Sequence, residues 1–186
     1  MNEKERFILS EIMDSTIRAG FMMNPVYSTK NTKERESARC ELKILLLSYY
    51  LKGYNKEKRT NSKEHINEIE KFQKGICSIE GFKDNLNFGT AQKLLNLFLK
   101  YLWICKDFSI PPHCPFDSIV LKKLKEKKYK QLNNSNLTSS WTKRLNKNDY
   151  ENCLDVAARV TTYEKFATIS EWELHVWNGI NKANFE

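Results

Sequence analysis

Apolar residues recur along almost the whole chain at three- and four-residue spacing, and period-two alternation is nearly absent, so the pattern predicts an all-α protein. About seven helices are expected. The first runs from about Glu3 to Met22 and is stopped by Asn24-Pro25, because proline cannot continue a helix and pushes its predecessor out of the helical region. The second starts near Asn31, where Asn31 and Glu34 are spaced for a capping box, and turns Ala38, Leu42, Leu45, Leu46 and Tyr49 to one face before Gly53. A charged connector at 56–59 leads to a third helix from about Ser62 to Lys74, with Ile66, Ile69 and Phe72 inward and Gly75 as its stop.

Phe88 to Ile104 is the most apolar stretch. Ala91, Leu94, Leu95, Phe98, Leu102 and Cys105 recur there at helical spacing, which predicts a central, buried helix. Lys93, Asn96 and Lys100 fall on another face of it, at i, i+3 and i+7. The proline-rich connector Ile110-Pro111-Pro112-His113-Cys114-Pro115 is stiff and extended, and it precedes a helix expected from Phe116 to about Lys128. That helix has Phe116, Ile119, Val120 and Leu124 as its stripe, surrounded by Lys122, Lys123, Lys125, Lys127 and Lys128. A polar stretch at 133–140 reads as a surface loop. Two closing helices are expected, about Asp149 to Lys165 and Ser170 to Ile180, the last with a Ser170 and Glu173 capping box and Trp172, Val176 and Trp177 as anchors.

Composition narrows the class. The 186 residues suffice for one helical domain with a real core, either as a single body or as two lobes with a cleft near 88–118. A hydrophobic fraction of 40% is too high for wholesale disorder. The net charge of +8 suits a polyanionic partner. No run approaches the ~20 apolar residues needed to cross a bilayer, and the first residues carry no secretory pattern, so a cytoplasmic monomer is expected with no membrane partner. The five cysteines are odd in number and scattered, which suits free thiols. His113-Cys114 has no further ligands at zinc-binding spacing, so neither a metal nor another cofactor is expected.

Two short stretches carry chemistry: Gly89-Thr-Ala-Gln-Lys93-Leu-Leu-Asn96, and Pro115-Phe116-Asp117-Ser118. Lys93 near the start of a helix feels the positive end of its dipole, and burial acts the same way, so the amine is pushed toward its neutral, nucleophilic form. Asp117 after a proline turn is placed to steady positive charge and to accept a proton. Gln92, Asn96 and His113 are weaker candidates for a substrate pocket, since each is equally suited to a buried backbone group or a turn. Trp141 suits a packing anchor as well as a base-stacking platform.

Together, Gly89-x-x-x-Lys93-x-x-Asn96, the long apolar helix and the Pro115-Phe116-Asp117 turn resemble the helix-hairpin-helix DNA glycosylases over about residues 86–124. The resemblance implies that Lys93 stands at the lysine nucleophile of the bifunctional members, Asp117 at the catalytic aspartate, and Gly89 at the first hairpin glycine. Ala91 stands where a second glycine is usual, and the 24 residues from Lys93 to Asp117 exceed the usual spacing by a few. The four clustered cysteines of the iron–sulfur members are absent from this sequence.

The resemblance further implies a glycosylase, with AP-lyase activity, that excises a damaged or modified base from double-stranded DNA during repair. Lys93 would attack C1′ of the flipped nucleotide with Asp117 assisting, while Gly89, Lys122 and Lys123 hold the DNA. The competing reading is a non-catalytic basic helical protein that binds nucleic acid or a protein partner through the 116–128 helix. A peripheral membrane role is disfavoured, because the lysines surround a core-facing stripe with no exposed Trp or Leu face.

Overall fold

Seven α-helices and one short 3-10 helix carry the described part of the chain, and its strand pairing is a single antiparallel bridge between Tyr27 and Phe82. The computed structural model describes residues 1–22, 24–132, 137 and 145–181. Helix α1 spans Glu3–Phe21, α2 Thr32–Leu51, α3 Ser62–Cys77, α4 Phe88–Cys105, α5 Ser118–Leu124, α6 Lys147–Tyr163 and α7 Ile169–Asn181, with the 3-10 turn η1 at Lys127–Tyr129. Residues 133–136 of the expected surface loop, most of its remainder, and Trp141 lie outside the described residues.

Helix α4 is the axis of the fold. Every residue from Phe88 to Lys100 is buried, so over this stretch the helix has no solvent face and has to be surrounded, and α1 and α3 pack most extensively against it. The approach of α1 is unusually close at Gly20, where an added Cβ would lie 2.3 Å from Leu94 Cδ2. A second tie runs from Asn24, whose side-chain amide donates to Thr90 Oγ1 at 2.5 Å. Phe21, Tyr27 and Phe82 pack edge-to-face and face-to-face with one another, joining the end of α1 to the segments before α2 and α4.

Several helix ends differ from the sequence expectation, each for a local reason. Asn31 caps α2 through the Lys33 amide, and its own N–H bonds to Thr29 Oγ1 instead of to Glu34. Gly75 does not end α3. The helix runs on to Cys77, and Gly75 marks a close contact in which an added Cβ would sit 3.1 Å from Leu45 Cδ2. The expected helix from Phe116 to Lys128 is shorter, because Asp117 caps it and the chain breaks to η1 after Leu124. At α7 the cap is Thr168 with Glu171, since Thr168 Oγ1 accepts from the Glu171 amide and donates to its carboxylate. Ser170 and Glu173 are used elsewhere.

Candidate active site

The connector from Ser109 to Phe116 has no regular structure, and side chains from three parts of the molecule bind its backbone. Asn55, held at φ 60 in the left-handed region that asparagine tolerates, donates its side-chain amide to the carbonyls of Ser109 (2.8 Å) and Ile110 (3.3 Å). Ser170 of α7 donates to the Pro111 carbonyl at 3.0 Å, and Arg59 donates to that of Pro112 at 3.2 Å. From α4, Asn96 donates to the Cys114 carbonyl at 3.0 Å, while Gln92 donates to the Phe116 carbonyl (2.8 Å) and accepts from the Phe116 amide (3.1 Å). A buried backbone without helix or strand partners needs such bonds, and here they fix the path of the chain up to Asp117.

Asp117 then divides its carboxylate between two tasks. Oδ1 accepts from the amides of Ile119 (2.9 Å) and Val120 (3.1 Å), which caps α5. Oδ2 lies 3.8 Å from Lys93 Nζ, one turn into α4. That distance is longer than a hydrogen bond but short enough for strong attraction in a buried setting. Lys93 is 5% exposed and Asp117 6%. Burial pushes the Lys93 ammonium below its usual range, and the nearby Asp117 charge partly opposes the shift.

Gln92, Asn96 and His113 lie around this turn, all buried, with their polar atoms bonded within the protein. Asn96 is the hub. Its Oδ1 can only accept, so the His65 Nε2 at 2.7 Å carries the proton, and the His65 Nδ1 accepts from the Tyr54 hydroxyl at 2.8 Å. The Asn96 amide donates to the Tyr150 hydroxyl at 3.0 Å, and that hydroxyl in turn donates to His113 Nδ1 at 2.8 Å. His113 Nε2 then faces Ser62 Oγ at 2.8 Å. Both imidazoles must be neutral for this chain of bonds, and burial drives them that way, lowering His65 to about 4 and His113 well below its ordinary value.

Gly89, expected to touch DNA, is a buried residue in the first turn of α4, and its amide donates to the Leu145 carbonyl at 3.0 Å. Lys122 is exposed on α5, and Lys123 is half-buried and bonded to Glu126 at 2.9 Å. Among the described residues, no three His, Cys, Asp or Glu side chains are grouped to hold a metal.

A second buried ion pair stands two turns further along α4 from the first. Lys100 Nζ contacts both carboxylate oxygens of Glu173, at 2.9 and 2.8 Å, and lies over the Trp177 ring, 5.5 Å from its centroid. Burial raises the Glu173 carboxyl to about 7, against the lowering effect of Lys100, and the Asp117 charge adds to the rise. Glu173, Tyr150 and His65 escape the reading of candidate residues. A signal for Glu173 is present in the sequence: it shares the i, i+4, i+7 stripe of Ile169 and Val176, a core position for a charged residue. Compared with known proteins, the chain matches no family model, no curated protein and no solved structure.

Proposed function

We propose that this protein is a DNA glycosylase with lyase activity, in which Lys93 is the nucleophile and Asp117 its electrostatic partner. The observation that carries this reading is a buried amine, pushed toward its neutral form, 3.8 Å from a carboxylate at the end of an anchored turn. An amine and a carboxylate so placed suit substitution at an acetal carbon. The neutral Lys93 Nζ forms a bond to C1′ of a flipped nucleotide as the base departs with the electron pair of the N-glycosidic bond. Asp117 Oδ2 offsets the positive charge that develops on the sugar and takes up the proton the amine sheds. The sugar ring then opens by cleavage of C1′–O4′, with O4′ taking the proton held on Asp117, to give the protonated Schiff base, from which loss of a C2′ proton expels the 3′ phosphate.

At 5% and 6% exposure, the pair is reached only when its cover opens, so opening belongs to the reaction. The test is incubation with duplexes carrying a panel of damaged and modified bases. Base release or nicking by the wild type, lost in Lys93→Gln and reduced at least a hundredfold in Asp117→Asn, is the expected result. The absence of product from every duplex would contradict it. A second reading, a non-catalytic nucleic-acid binder, is favoured by a different observation, the lysine-rimmed groove beside α5.

A further inference from the structure

An open cavity of about 810 Å³ lies between α5, η1 and α7. Its floor is apolar, formed by Ile119, Tyr129, Trp172 and Val176, and its rim is a row of lysines. Its two acids are committed: Glu126 bonds to Lys123 at 2.9 Å, and Glu164 accepts from Lys128 at 2.6 Å and from the Tyr129 hydroxyl at 2.8 Å. Lys122, Lys125 and Lys127 are exposed and make no ion pair with a described residue. Three rim charges are therefore available to an anion.

We propose that this groove carries one phosphodiester strand of duplex DNA, with Lys122, Lys125 and Lys127 against successive phosphates. This rests on the nucleic-acid part of the functional reading and not on its chemistry. Lys122 and Lys125 are three residues apart, a rise of about 4.5 Å along the helix, and Lys127 continues the row into η1. Three rim lysines spread over a helix, its cap and the next turn suit a strand, whose phosphates recur every ~3.4 Å along the duplex axis, better than the single converging cluster a free phosphate requires. Asp117 caps the same short helix that carries Lys122, so the groove and the Lys93–Asp117 pair share α5.

The experiment compares binding of an undamaged duplex to the full-length wild type and to the triple variant Lys122→Gln/Lys125→Gln/Lys127→Gln, from 50 to 200 mM salt. Each phosphate contact contributes about 0.9 to the slope of log affinity against log salt, so the triple variant is expected to be shallower by roughly 3. A control with the same loss of charge at exposed lysines elsewhere, Lys4→Gln/Lys33→Gln/Lys58→Gln, is expected to keep the wild-type slope.

An unchanged slope in the groove variant, or an equal loss in the control, overturns the proposal. So does displacement of the duplex by micromolar dAMP, which would make the groove a site for a free nucleotide. The glycosylase reading fails separately: if no damaged duplex yields product while the groove variant still loses its slope, the strand path stands and the chemistry does not.

Discussion

Lys93 is buried where its charge is disfavoured, and the Asp117 carboxylate that faces it is also committed to a helix cap. The neutral amine is the reactive form, so adduct formation should rise with pH to a half-point below 10.5, the ordinary lysine value. Asp117 opposes that lowering. The Asp117→Asn variant should therefore react more slowly at every pH while its half-point moves to lower pH, a pair of changes that loss of folding would not produce.

His65 gives a second prediction at the same scale. Its imidazole titrates near 6.5 when unfolded and near 4 when folded, so the unfolded chain binds the extra proton between these values. Stability is then lost as pH falls through that window, by on the order of 3 kcal/mol from this residue. Glu173, raised to about 7, slopes the other way, but it does so in wild type and variant alike. Denaturant unfolding at pH 7 and pH 4.5 should show a smaller acid loss in His65→Gln than in the wild type, and equal losses would contradict the account.

Among the elements, α4 does most to position the site, and its partners meet it in two different ways. Toward α1 the contact is steric. Gly20→Val would drive a branched side chain into Leu94 and should lower stability by about 1–3 kcal/mol in thermal or denaturant unfolding. Toward α7 the contact is ionic. Lys100→Met strands a buried Glu173 and should cost about 3–5 kcal/mol, while Lys100→Met/Glu173→Leu should recover most of that, because the uncompensated charge is then gone.

These elements also mark what spacing could convey. The shared face of Lys93, Asn96 and Lys100 was legible, since helical period alone puts i, i+3 and i+7 together. Their partners Asp117, His65 and Glu173 come from three other elements, and no local pattern encodes which side chain lies across a packed interface. Gly75 illustrates the same limit, reading as a helix stop while serving as a contact point for Leu45. Phe116 reads as helix from its apolar spacing, yet Gln92 binds both its amide and its carbonyl and holds it in the turn.

Across the whole molecule, an all-helical body surrounds α4, and the anchored 109–117 connector meets that helix at the Lys93–Asp117 pair. No helix among the described residues is long and apolar enough to cross a membrane. The excess positive charge is partly gathered on one face, beside the helix that Asp117 caps. A rigid turn, a shifted amine and a basic surface are consistent with one another in the glycosylase reading, which stands or falls on covalent chemistry at one nitrogen.

The decisive measurement is borohydride trapping on duplexes carrying damaged or modified bases, followed by peptide mapping of any protein–DNA adduct. The account predicts an adduct in the wild type that maps to Lys93 and is absent from Lys93→Gln. An adduct at another residue, or none on any duplex, would contradict the central claim.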